Sequence, residues 1–188
     1  MTRGPPALPT TIAWITLLDP DIGLINVGLT KLGLFDHGPF NIFIERRGEA
    51  VTSSPIKGTL PRHADPSALR ASVKDVAENI MIVDLMRNDL SRVCRPGTVA
   101  VQELLTIQPH PGVWHLVSAI RGELNPRTTT AHVLAAAFPP GSVTGAPKIS
   151  AQQGIADLEV EPRGAYTGSI GLVSPLAGAD FNVIIRSF

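Results

Sequence analysis

From Asn41 onward the apolar positions follow readable periods. Ile42-Phe43-Ile44 reads as a strand, Arg46-Arg47-Gly48-Glu49 as a turn and Ala50-Val51-Thr52 as the returning strand, which predicts a hairpin with Lys57 at its exit. A helix is predicted from Asp65-Pro66, where Asp65 can cap the first free amides and Pro66 suits the first helical position. Leu69, Val73, Val76, Ile80 and Val83 recur at intervals of three and four, giving one apolar face, with Lys74, Asp75 and Glu78 off it. This helix is expected to end or bend near Arg87-Asn88-Asp89.

Strands are predicted over Val99–Ile107 and Val113–Ile120, separated by Pro109 and Pro111. Thr128-Thr129-Thr130 precedes a second helix from Ala131 to Phe138, which Pro139-Pro140-Gly141 ends. After a small-residue loop from Ser142 to Lys148, Ile149, Ile155 and Leu158 mark a third helix. Tyr166–Val173 and Phe181–Ile185 read as the last strands. Hairpin-like connections between unevenly grouped elements predict an α+β fold with a mostly antiparallel sheet. Before Asn41 the pattern is weak: Pro5, Pro6 and Pro9 break any early helix, and the apolar run from Ile22 to Phe35 has no clean period. Residues 1–38 therefore form an unassigned segment and residues 39–188 the partial domain.

Composition narrows the class. The balanced charge of the 188 residues gives no electrostatic reason for a nucleic-acid partner or an anionic membrane. The single cysteine, Cys94, excludes an internal disulfide framework, and no apolar run approaches a membrane span. A cytoplasmic protein is expected.

Several residues carry candidate chemistry. Pro55 and Gly58 hold Lys57 on a short preset piece of backbone, although an isolated lysine after a turn is more often simply solvated. The run Gly141-Ser142-Val143-Thr144-Gly145-Ala146-Pro147-Lys148 precedes a helix, where free amides attract an anion. Its glycine spacing and Pro147 disagree with a nucleotide phosphate loop, so a carboxylate or pyrophosphate is the better ligand, and a tight capped loop is the plainer alternative. Glu78 is either solvated or a Mg2+ ligand. His115 lies inside an apolar strand, where a structural histidine is usual, and the histidines show no zinc spacing. Arg186 ends an apolar run, either in water or facing an anion; Tyr166 either joins it there or packs in the core.

The runs SSPIKGTLPR, AENIMIVDLMRNDLSRVC, GVWHLVSAIRGEL, GSVTGAPKISAQQ, RGAYTGSIG and DFNVIIRSF, in this order, resemble the chorismate-utilising enzymes. That family includes anthranilate synthase, isochorismate synthase and aminodeoxychorismate synthase. Its lysine form, PIKGT, is similar to aminodeoxychorismate synthase component I, whereas anthranilate synthases typically carry alanine at that lysine. The resemblance implies part of the family's chorismate-binding α/β sandwich, a chorismate substrate, Mg2+ as cofactor, and ammonia from a glutamine amidotransferase subunit. It also implies roles: Lys57 as nucleophile at C2 of chorismate, Glu78 as a metal carboxylate, and His115 facing the substrate ring. Ser142 and Gly145 would lie along the pocket, and Tyr166 and Arg186 would bind the enolpyruvyl carboxylate.

The chain departs from the family at identifiable places. Where the family has Ser-Pro-Glu-x-Phe, this chain has Pro39-Phe40-Asn41-Ile42-Phe43. The glutamate thought to protonate the leaving hydroxyl is therefore Asn41, and an amide cannot act as that acid. Residues 1–38 do not match, and the last strand is still running at Phe188, so a truncated form without turnover of its own is expected, with a non-catalytic remnant as the competing class.

Overall fold

The computed structural model describes residues 43–176 and 178–185. The unassigned segment 1–38, Asn41 and Arg186 lie outside the described residues. The expected hairpin is present: β1 (Ile44–Arg47) and β2 (Ala50–Ser53) pair antiparallel, with Glu45 opposite Thr52. Gly48 makes the turn at φ 62°, a conformation that costs glycine little.

β2 and β3 (Ile56–Pro61) form one interrupted strand. Both pair antiparallel with β5 (Val113–Glu123): β2 along Ile120–Glu123 and β3 along Val113–Val117. Pro55 has no N–H to offer the ladder, but its carbonyl accepts from the Ser118 amide at 3.1 Å, which holds the two halves in line. On its other side β5 pairs with β4 (Ala100–His110), and β1 leads outward through β7 (Gly178–Val183) to β6 (Ser169–Ser174). Among the described residues the seven strands make one antiparallel sheet, the α+β class expected. β4 runs through Pro109 instead of stopping before it, because among the described residues β4 pairs with β5 alone, and an outer strand tolerates a missing donor.

The long helix departs from its predicted form. It is two helices, α1 (Ser67–Ala71) and α2 (Val73–Ser91), parted at Ser72. Ser72 takes an extended conformation (ψ 102°) and its hydroxyl caps α2 by accepting from the Asp75 amide. The break resets the helical phase. Leu69 is buried as expected, but Val73 is 85% exposed and Ile80 46% exposed. α2 instead buries Asn79, Ile82, Val83, Met86, Asp89 and Leu90, and continues past the expected stop at residues 87–89.

Val83, Met86 and Leu90 meet Ile44, Val51, Ile120 and Leu124 of the sheet side, and Val133 and Ala137 of α3 (Thr130–Ala137), to form the core. α3 is capped reciprocally: Thr129 accepts from the His132 amide, and the His132 ring accepts from the Thr129 amide, each at 3.2 Å. Two short elements follow, the single turn α4 (Gly141–Thr144) and α5 (Lys148–Leu158), which buries none of its residues. Cys94 is buried and free, and burial pushes its thiol up to about 11. Among the described residues no helix is long and apolar enough to cross a membrane.

Asn79 is the polar residue that joins α2 to the sheet. Its side-chain amide donates to the Leu116 carbonyl at 3.1 Å and its carbonyl accepts from the Ser118 hydroxyl at 2.6 Å. Ser118 in turn accepts from the Leu105 amide at 3.0 Å, so one buried chain of bonds crosses from α2 through β5 to β4. Asn79→Ala should lower unfolding stability by about 2–3 kcal/mol, because it strands a buried hydroxyl and carbonyl. Urea unfolding checks this, and a loss below about 0.5 kcal/mol, the level of an ordinary surface change, would show that the network carries no such weight.

Candidate functional site

Lys57 is aimed by a bulge. Ile56 pairs with Val117 and Thr59 with His115, so three steps along β3 match two along β5. The extra residue falls at Lys57-Gly58, and Gly58 adopts φ 93°. A Cβ on Gly58 would lie 3.1 Å from the Asp75 Cβ and 3.2 Å from the Leu69 Cδ2. Gly58 thus serves a close approach to α1 and α2.

Lys57 lines a cavity of about 670 Å³ together with Glu78 of α2, Ser142 and Gly145 of the α4 segment, and Arg163 and Tyr166 of the following turn. Met81, Ile82, Gly141, Val143, Thr144, Thr167 and Ile185 complete its walls. Five of the seven residues predicted for the site therefore come together: Lys57, Glu78, Ser142, Gly145 and Tyr166. Glu78 is half-exposed and has Lys74 at 3.8 Å one turn before it. Tyr166 is in a turn ahead of β6, where a strand was expected, and is 57% exposed, so it is a wall residue and not core packing.

His115 is not among the lining residues. Ser118 points at Asn79 of α2, and strand alternation then sends Leu116 and Ile120 the same way and His115 to the opposite face. There its Nδ1 is 2.8 Å from the Thr59 hydroxyl and its ring packs edge-on against His110, with centroids 4.6 Å apart. His115 thus stands outside the lining of this cavity.

The α4 segment is built from small residues because it lies close over α2. A Cβ on Gly141 would fall 2.5 Å from the Leu85 Cδ1. Gly145 ends the turn at φ 128° and ψ −178°, and its amide bonds back to the Gly141 carbonyl at 2.9 Å. Thr144 closes the turn by donating to the Pro140 carbonyl at 3.1 Å.

Arg163 is a cavity residue that sequence reasoning passed over. It makes paired bonds to Glu159 at 2.7 and 2.5 Å, and donates to the Val143 carbonyl at 3.3 Å and the Thr167 hydroxyl at 3.4 Å. These bonds hold the Glu159 carboxyl below its ordinary range and raise the guanidinium. Arg163 joins the two walls that carry Gly145 and Tyr166. The four-residue spacing from Glu159 to Arg163, as on a helix, was the available signal.

Among the described residues no group of three or more His, Cys, Asp or Glu is placed to hold a metal. Glu78 is the carboxylate in the cavity lining. One carboxylate with oxygens from a bound substrate meets the minimum for Mg2+, a hard cation that retains water and uses few protein ligands.

Residues 41–188 match the chorismate binding enzyme family, and the chain belongs to that family. It is 48% identical over 152 residues to aminodeoxychorismate synthase component 1 of Klebsiella aerogenes, covering 77% of this chain and 34% of the relative. It is 42% identical over 153 residues to anthranilate synthase component 1 of Streptomyces coelicolor, covering 78% of this chain and 30% of the relative. The chain thus spans about a third of the length of these relatives. The crystal structure of anthranilate synthase component I from Streptococcus pneumoniae superposes with a TM-score of 0.69 at 35% identity, covering 78% of this chain and 33% of that one.

Two glycines separate strain from space. Gly145→Ala forces a conformation that L residues avoid and should lower stability by about 1–3 kcal/mol. Gly154 lies inside α5 with nothing within 4 Å of an added Cβ, so Gly154→Ala should raise stability by up to about 1 kcal/mol. Thermal unfolding of the two variants checks the pair, and the same sign for both would contradict this account of the α4 segment.

Proposed function

We propose that this chain is the chorismate-binding part of an aminodeoxychorismate synthase component I, which aminates chorismate at C4 to 4-amino-4-deoxychorismate. The observation that carries the reading is Lys57, set on its bulge in one cavity with Glu78, Ser142, Gly145 and Tyr166. The similarity of 48% to a relative of that name supports it. Anthranilate synthase relatives are nearly as similar, and the lysine at position 57 favours the first reading over them.

In this reading the Lys57 amine attacks C2 of chorismate, the ring double bond shifts, and the C4 hydroxyl leaves as water after taking a proton. Ammonia then adds at C4, the electron pair returns through the ring, and the lysine is expelled from C2 and recovered. The net change is chorismate and ammonia to aminodeoxychorismate and water. Splitting one displacement into two is the gain from a covalent lysine. Glu78 would hold Mg2+, which when bound supplies positive charge for the ring carboxylate. Tyr166 and Arg186 would take the enolpyruvyl carboxylate, and the amides of the α4 segment would face the ring. His115, engaged with Thr59, is given no step. Asn41 cannot protonate the leaving hydroxyl, so the proton must come from water or from a restored glutamate. A glutamine amidotransferase is the proposed ammonia source.

The test uses this chain joined to the matching remainder of the Klebsiella aerogenes relative, with Asn41→Glu, supplied with chorismate, ammonia and Mg2+. Chromatography should detect 4-amino-4-deoxychorismate. Lys57→Ala should lower kcat by at least about a hundredfold with little change in KM, the pattern of an interaction made only on the way through the reaction. Anthranilate as the main product, or undiminished turnover without the lysine, would contradict the proposal.

A further inference from the structure

Lys148 closes the run that sequence reading offered as an anion loop, yet its ammonium is absent from the cavity lining. It turns the other way, to Asp89 of α2 at 2.5 Å, and also donates to the Ala137 carbonyl at 3.3 Å. Little of the pair meets solvent: the Asp89 side chain is buried at 3% exposed and that of Lys148 is 14% exposed. Ala137 is the last residue of α3, so its carbonyl is one of the four a helix leaves unpaired, at the end where the dipole favours a cation. A single ammonium therefore bonds both the start of the 138–147 segment and, through its own backbone, the end of it.

We propose that Lys148, seated on Asp89, is a positioning residue that staples the 138–147 segment closed and so sets where Ser142 and Gly145 stand in the cavity. The segment's own bonds make it rigid without placing it. Val143 and Gly145 donate to Pro140 and Gly141, and Thr144 to Pro140, all within the turn. Placement comes from outside: the Phe138 ring edge-on to Phe43, the Gly141 contact with Leu85, the Arg163 bond to Val143, and the Lys148 staple at the base. Only the staple joins the segment's two ends. The burial that pushes the Asp89 carboxyl up is partly offset by Lys148, as expected of a pair each of whose members needs the other.

The effect on the ligand rests on the chorismate reading above; the placement of the segment does not, and the two are measured separately. The comparison is between the parent chain and Asp89→Leu/Lys148→Met, which replaces the pair with apolar contacts and avoids leaving a buried charge alone. Its urea midpoint should stay close to the parent's. Amide hydrogen exchange at Val143 and Gly145 should nevertheless accelerate by about tenfold or more, with no change at Leu90 or Ile120. The chorismate dissociation constant, by calorimetry, should rise by about tenfold. If the double variant does not fold, Asp89→Asn keeps an acceptor for the ammonium and should leave exchange near the parent rate, while Asp89→Asn/Lys148→Met should show the acceleration. Loop exchange at the parent rate in a folded variant lacking Lys148 would overturn the staple. Failure of the parent chain to bind chorismate would count against the chorismate reading, with the exchange comparison still deciding the staple.

Discussion

The rotation of α2 about its own axis is the constraint on which the site depends, and Asn79 sets it. A buried side-chain amide must satisfy both its donor and its acceptor, and Leu116 and Ser118 of β5 offer the partners. With Asn79 turned inward, Glu78 falls on the flank beside the sheet, where it meets the cavity with Met81 and Ile82. The same rotation brings Leu85 under Gly141 and places Asp89 where Lys148 can reach it. A helix turned by one residue would bury Glu78 against β5 and lose both supports of the α4 segment. The polar stripe of α2 therefore selects one rotation that apolar packing alone would fix less sharply.

Most of the fold was legible because its periods are strong. The β1–β2 hairpin, the β4–β5 pair and the third helix stand close to where pattern and turn residues put them. The long helix was misphased because Val73 and Ile80 look apolar while Asn79 and Asp89 look polar, and the chain inverts both. Burial of Asn79 depends on partners on β5, which no local window contains. Ser72 was silent for a similar reason, since serine is common inside helices and only its extended backbone reveals the cap.

The site divides along the same line. Lys57, Glu78, Ser142, Gly145 and Tyr166 were found through the motifs that carry them, and they converge. His115, offered by its motif, stands outside the cavity lining. Its parity with Leu116 and Ser118, read against the residues that face α2, turns it to the other side of the sheet. Arg163 and Lys148 were missed as working residues because each acts on backbone carbonyls far along the chain, a role that leaves no trace in residue type. The freedom of Gly58 is spent on the approach of α1 and α2, and the aiming of Lys57 comes from the bulge.

The central claim is that chorismate occupies the cavity that holds Lys57. Protection of lysines from an acetylating reagent, quantified residue by residue by mass spectrometry, tests it most directly, because Lys74 is 81% exposed outside the cavity lining and serves as an internal reference. Saturating chorismate with Mg2+ should slow acetylation of Lys57 severalfold while Lys74 reacts at its original rate. Equal rates at Lys57 with and without chorismate, at a concentration shown by calorimetry to saturate the chain, would contradict the account.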